Sequence, residues 1–200
     1  MNSNLKDLNL VFSTPIWSFL VDDYENINNT ILKYIKNIQK EDPIGVKKSN
    51  NLGWHSKSFD MENEVVKSFF NSIQKYINKT IKDSGWDHPL NKCNVTSAWS
   101  IINSKNSSNA RHIHSNNYLS AAYYVKAPKN CGDIIFYDPR DAKVIRKPKS
   151  NGGNFLNADI INISPQEGLL VMFPSYLHHS VDDNISENER IVISFNIDIK

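Results

Sequence analysis

Five residues of this chain have the types and spacing of a metal site with an anion clamp: His112, His114, His178, His179 and Arg190. Successive side chains of an extended strand point to opposite faces, so His112 and His114 share one face. Two imidazoles on one face, joined by a third that the fold brings in, make a facial site for a transition metal. Imidazole suits iron, zinc, copper and nickel alike. Arg190 follows His179 after ten intervening residues, which leaves room for a short turn and the start of a neighbouring strand. A guanidinium fork beside a metal grips a carboxylate at two points. The chemistry indicated is an iron centre with an organic-acid cosubstrate held by the arginine. A His-X-His pair alone is more often ordinary polar surface; the distant histidine and arginine set this one apart.

The elements that must position these residues follow from the hydrophobic pattern. Residues 95–102, 118–125, 132–137, 160–163 and 169–173, the histidine segment and the C-terminal run read as short strands between Gly, Pro and Asn turns. Many short strands of this kind indicate a sandwich or barrel, and a jelly roll with an open mouth for a metal site is expected. The last strand is the most informative. Ile191, Ile193, Phe195, Ile197 and Ile199 share one face; Arg190, Val192, Ser194, Asn196 and Asp198 share the other. Such alternation packs one face on apolar partners, and Arg190 at its start suggests that the polar face lines a pocket.

Upstream, Ile27, Ile31, Tyr34, Ile35 and Ile38 recur at helical spacing, as do Val65, Val66, Phe69, Phe70, Ile73, Tyr76, Ile77 and Ile81. Asp22 and Asp23 are candidate caps for the first helix, and Pro43 and Gly45 close it. Glu62 and Glu64 suit the start of the second. Two such helices cover one face of a sheet. Pro15 interrupts the apolar run 10–21, predicting an edge strand or two short pieces and offering a seam for a homodimer. Residues 46–60 are turn-rich; there Trp54 is expected to cover a core edge and His55 to face solvent, with a pocket role as the alternative. Residues 138–157 form a long loop, a candidate lid or a plain surface loop.

Two hundred residues suffice for one domain: residues 1–94 as a helical and strand support region, 95–200 as the jelly-roll core. With 23 Lys and Arg against 21 Asp and Glu and no long basic run, nucleic-acid binding has no support. The patch Arg146-Lys147-Pro148-Lys149 reads as a solvated loop. Cys93 and Cys131 are too few for a disulfide scaffold and fit a reducing compartment. The N-terminus lacks a signal-peptide pattern and no apolar run reaches membrane-spanning length, so a soluble cytoplasmic protein is expected.

Several stretches, in order, resemble a known family: 12–17 (FSTPIW), 53–56 (GWHS), 112–114 (HIH), 120–125 (SAAYYV), 136–140 (FYDPR), 173–181 (FPSYLHHSV) and 189–196 (ERIVISFN). Together they cover most of the chain and resemble the Fe(II)- and 2-oxoglutarate-dependent dioxygenases of double-stranded β-helix fold, in a prolyl-hydroxylase-like branch found in bacteria and tailed phages. The resemblance implies a mainly β jelly roll, cupin-like, with two supporting N-terminal helices. It implies Fe(II), 2-oxoglutarate and O2 as reactants, succinate and CO2 as co-products, and hydroxylation of a small molecule or peptidyl side chain. His112 matches the first metal ligand and His179 the distal one, with His178 at a variable position. Arg190 matches the residue that binds the far carboxylate of 2-oxoglutarate, and Tyr124 the tyrosine that prolyl hydroxylases add there. Ser120, Ser194 and Asn196 are further pocket candidates. His114 departs from the family's His-X-Asp pattern, which leaves a three-histidine centre or a two-histidine centre with water in the gap. Trp17, Trp54 and Tyr137 are candidate flanks for a substrate, or core. The alternative is a cupin-like module holding zinc or nothing, or a structural protein using the fold for interaction.

Overall fold

The computed structural model describes residues 11–86, 93–141, 148–154 and 156–199. Among them run, in order, β1 (Trp17–Leu20), α1 (Tyr24–Glu41), β2 (Asn50–Asn51), β3 (Trp54–His55), α2 (Glu64–Asp83), β4 (Cys93–Asn103), β5 (Ser108–His112), β6 (Leu119–Lys126), β7 (Ile134–Tyr137), β8 (Ile160–Ile163), β9 (Leu169–Pro174), β10 (His179–Val181) and β11 (Arg190–Ile199). The strands form two antiparallel sheets, a larger one in the order β1-β9-β6-β11-β4-β3 and a smaller one in the order β2-β5-β10-β7-β8. This is the expected jelly roll. The N-terminal part supplies β1 and β3 to the larger sheet and β2 to the smaller. β1 is an edge strand just after Pro15, as a residue without an amide donor requires.

Two cores follow from the period-two patterning. On the outer face of the larger sheet, Leu119, Ala121, Tyr123 and Val125 of β6 and the odd-numbered apolar residues of β11 pack under Ile31 and Ile35 of α1 and Val66, Phe69, Ile73 and Ile77 of α2. The Phe69 ring lies edge-on to Tyr123 with centroids 5.1 Å apart, and Phe70 does the same to Phe195 at 5.3 Å. The Tyr123 hydroxyl donates to Asn28 Oδ1 at 2.7 Å, which gives that buried hydroxyl its partner inside this layer. Between the sheets, Ala122, Tyr124, Val171, Phe173, Val192, Ile134 and Phe136 form the second core. Gly168 starts β9 from φ +79°, and a Cβ there would meet the Tyr24 side chain at 2.3 Å, so only glycine lets the turn lie against the start of α1.

Two expectations change in detail, for Asp23 and His114, and the cap of α2 is a residue the sequence reading did not name. Asp23 occupies the N-cap of α1 in a left-handed conformation, but its carboxylate accepts from the Asn26 side chain at 2.5 Å and caps no backbone amide. Asn63 is the working cap of α2, accepting from Val65 N at 3.0 Å. His114 lies two residues beyond the end of β5, outside the ladder, where its amide donates to the Ser175 carbonyl at 3.0 Å. Residues 1–10, which carry the expected absence of a leader, lie outside the described residues. So do 142–147 and 155 of the expected lid, with Arg146 and Lys147 of the basic patch. Among the described residues no helix is long and apolar enough to cross a membrane.

Candidate functional site

The site begins with the pairing of β5 and β10, which places His179 directly opposite His112 in register. Facing residues of an antiparallel pair are close neighbours on one side of the sheet, and the two imidazole centroids lie 4.3 Å apart. His114 completes the group: its Nε2 is 3.2 Å from that of His112. One ligand atom from each of the three histidines falls within 4.8 Å of the other two.

Each ring is oriented by a bond at its other nitrogen. Nδ1 of His112 donates to the Ala110 carbonyl at 2.7 Å, and Nδ1 of His179 to the Leu177 carbonyl at 2.9 Å. Nδ1 of His114 donates to Asn196 Oδ1 at 2.8 Å. A carbonyl can only accept, so the proton sits on Nδ1 and the Nε2 lone pair is left to face the cluster, the arrangement that orients metal-binding histidines. Asn196 is itself held, accepting from Ser120 Oγ at 2.8 Å and donating to Ser97 Oγ at 3.2 Å. Burial disfavours the charged imidazoles: His179 is pushed down to about 3, with a further push from His112, and His114 to about 4 for the same two reasons. Burial also lowers His112. Three neutral imidazoles with converging lone pairs are a donor set for a divalent transition metal. Two nitrogens about 2.1 Å from one ion lie about 3.0 Å apart at a right angle and about 3.4 Å apart at the tetrahedral angle, and the 3.2 Å separation falls between.

The triad lines a cavity of about 830 Å³ between the sheets, and Arg190, Val192, Ser194 and Asn196 form one wall. Arg190 is fully buried. Its Nη1 donates to the carbonyls of Cys131, Gly132 at 3.1 Å and Asp182 at 3.2 Å. Gly132 has φ +85°, and a Cβ there would meet Nη1 at 2.8 Å, so the guanidinium passes only because this residue is glycine. Nε and Nη2 of Arg190 are buried with no partner, and no carboxylate pairs with the side chain among the described residues. A buried, unpaired guanidinium is costly, and burial lowers its pKa. These two orphaned donors fit an incoming carboxylate.

Tyr124 is buried on β6 opposite Val192 and lines the same cavity; burial raises its hydroxyl's pKa. Ser194 lines the cavity too, whereas Ser120 is buried behind Asn196. His178 is exposed. Trp54 is a core residue whose Nε1 donates to the Asp42 carbonyl at 2.8 Å, and Trp17 packs on the helix side. Tyr137 lies under the Arg111 guanidinium at 4.2 Å.

The structure corrects His55. It is buried, lines the cavity and stacks on Trp99 at 5.6 Å, and Trp99 stacks in turn on His114 at 5.5 Å. Sequence reasoning also passed over Asn103. It faces Arg190 in the β4–β11 register, lines the cavity, and leaves Nδ2 buried without a partner. The alternation along β4 carries the missed signal, since Ser97, Trp99, Ile101 and Asn103 all line the cavity.

Similar solved structures share this architecture at low identity. A Pseudomonas putida prolyl-4-hydroxylase matches with a TM-score of 0.65 at 10% identity, covering 94% of both chains. The viral collagen prolyl hydroxylase of Paramecium Bursaria Chlorella virus-1, in its 2-oxoglutarate complex, matches at 0.59 and 15%, covering 91% of this chain and 94% of that one. The non-heme alpha ketoglutarate dependent carbocyclase SnoK from nogalamycin biosynthesis matches at 0.66 and 9%, covering 92% and 79%. No curated protein matches the sequence. Residues 97–196, half of the chain and the segment that holds all three histidines and Arg190, match the family described as "Putative 2OG-Fe(II) oxygenase". The chain belongs to that family, and is an oxygenase that uses Fe(II) and 2-oxoglutarate.

Proposed function

We propose that this oxygenase is a hydroxylase in which His112, His114 and His179 hold Fe(II) and Arg190 takes the distal carboxylate of 2-oxoglutarate. The observation that carries this is the meeting, in one cavity, of three converging Nε2 atoms and a buried guanidinium with two unpartnered nitrogens. When bound, iron and 2-oxoglutarate would let O2 act as the oxidant, one oxygen atom entering succinate as CO2 leaves and the other entering the substrate C–H bond. The protein's part is positioning. Arg190 offers Nε and Nη2 as a fork; Asn103 Nδ2, facing it across the sheet, and the Tyr124 hydroxyl add donors for the same carboxylate. Ser194 gives that wall a further polar group. Val192, Ile134 and Phe173 keep the cavity floor apolar, which strengthens each of these contacts by excluding water. No side chain is needed as a general base.

Hydroxylation, rather than another oxidation, is supported by two of the similar folds being prolyl hydroxylases. We take residues 1–200 as one catalytic unit, since the strands before residue 94 are shared between both sheets.

The test is anaerobic binding followed by turnover. Protein with Fe(II) should show a visible charge-transfer absorption on adding 2-oxoglutarate, and admitting O2 should produce succinate. His179→Ala should lose the metal; Arg190→Met should keep it and lose the absorption. Metal uptake without 2-oxoglutarate binding in the wild type would overturn the assignment. So would succinate formation without any product that has gained one oxygen, once the substrate is in hand.

A further inference from the structure

We propose that His55 is a positioning residue for the metal: through the ring of Trp99 it holds the third ligand, His114, in the plane that keeps its Nε2 on the ion. This deepens the reading of the site given above and rests on His114 being a ligand. The first observation is that His114 needs outside help. His112 and His179 face each other in register, so the sheet itself aims them. His114 lies beyond the end of β5, and no ladder sets the direction of its side chain. Its one side-chain hydrogen bond outside the cluster, Nδ1 to Asn196 Oδ1 at 2.8 Å, is made at the ring edge. The outer torsion of an imidazole is broad and roughly two-fold, so an edge bond alone lets the ring rock about it. A metal ligand tolerates about 10–20° of error. A contact on the face of the ring removes the rocking.

The second observation is the contact that does this. The rings of Trp99 and His114 lie 5.5 Å apart at 20°, and those of His55 and Trp99 lie 5.6 Å apart at 10°. In the larger sheet β4 runs between β3 and β11. Trp99 of β4 therefore has His55 of β3 on one side. On the other it has Asn196 of β11, with His114 bonded to it. Three nearly parallel rings form a column that ends at the metal site. Trp99 keeps Nε1 buried without a partner, a cost in stability, so what the indole contributes here comes from its faces.

The third observation is that the far end of the column is fixed. Nδ1 of His55 donates to the Ser56 carbonyl at 2.7 Å, and its own carbonyl accepts from Val46 N at 2.8 Å. Ser56 N donates to the Ser100 carbonyl at 2.9 Å, and Ser100 N donates to Ser56 Oγ at 2.9 Å. These two bonds tie the residue after His55 to the residue after Trp99. Gly45 has φ +62°, and a Cβ there would collide with the His55 carbonyl oxygen, so only glycine lets the chain cross this close. A pinned imidazole can brace its neighbour; a free one would move with it.

The experiment titrates Co(II), a metal that imidazole suits, into the metal-free full chain. His55→Ala should weaken Co(II) about threefold to tenfold, and Trp99→Leu about tenfold. His55→Phe, which returns a flat ring without the nitrogens, should bind as the wild type does. The decisive measurement is a double-mutant cycle. In the His114→Ala background, His55→Ala should change Co(II) affinity by less than about twofold, because the ring to be held is gone. Trp99→Leu carries the same cycle if His55→Ala does not fold. Unchanged affinity in both His55→Ala and Trp99→Leu overturns the proposal, as does a His55→Phe variant no better than His55→Ala. An effect that persists without His114 also overturns it, because the column then supports the fold at large. His114→Ala binding Co(II) as tightly as the wild type is seen before any column variant is made, and it refutes the underlying three-histidine reading instead.

Discussion

Without metal, the stability of this protein should depend steeply on pH, by an amount that counts the buried histidines of the triad. Imidazole in an unfolded chain titrates near 6.5, whereas burial holds His114 down to about 4 and His179 down to about 3. Below pH 6.5 the unfolded metal-free chain takes up a proton at each position and the folded chain does not. Stability therefore falls as pH falls, beginning at the unfolded value and levelling off only below the folded ones. Each such histidine contributes a slope of up to about 1.4 kcal/mol per pH unit, and the pair about 2.7. Between pH 6.5 and 4.5 the loss is about 5 kcal/mol, comparable with the whole stability of many domains. The assay is urea unfolding of metal-free protein across that range, for wild type, His114→Asn, His179→Gln and the double variant. Carboxylates titrate in all four, so the differences isolate the imidazoles. Each single substitution should flatten the curve by up to about 1.4 kcal/mol per pH unit. Saturating metal should oppose the loss until protons displace it. Slopes indistinguishable between wild type and the double variant would refute the claim that the fold holds these rings neutral by burial.

Other substitutions probe the rest of the cavity. Arg190→Lys keeps a charge but loses the fork, and should weaken 2-oxoglutarate binding about tenfold to a hundredfold with metal content unchanged, read by anaerobic titration. Asn103→Leu removes an orphaned buried donor, so it should weaken 2-oxoglutarate by about tenfold or less while leaving thermal stability equal or higher. Asn196→Leu deprives His114 of its acceptor and should lower metal affinity about tenfold to a hundredfold. Asn196→Asp, which still accepts, should restore most of it. An unchanged metal affinity in Asn196→Leu would mean that His114 is not a ligand.

What the sequence revealed depended on how local the deciding interactions are. The alternation along β11 is a property of ten consecutive residues, so Ile191, Ile193 and Phe195 on the helix side and Arg190, Val192 and Ser194 on the cavity side were legible directly. The helices were legible for the same reason. By contrast, β2 and β3 are two residues each, too short to show any period, and they exist because β5 and β4 offer them ladder positions. His55 was read as solvent-facing because nothing nearby shows that Trp99, 44 residues on, will stack over it. Asn103 had a signal in the parity of β4, but its significance needs the register with Arg190, which only the folded sheet supplies.

The third histidine shows how one change of residue alters a whole cavity. A carboxylate at position 114 would be placed by its own charge; an imidazole must be aimed, and the aiming is spread over Asn196, Ser97 and Ser120, three residues on three different strands. The same change removes one negative charge from the cavity that the buried Arg190 also lines. Aiming and charge are therefore separable. Asn196→Asp keeps the hydrogen bond to Nδ1 and returns an anion to the wall, so it should leave the metal in place while weakening an anionic ligand of the same cavity such as 2-oxoglutarate. A site in which His114 merely filled space would show neither half of that split.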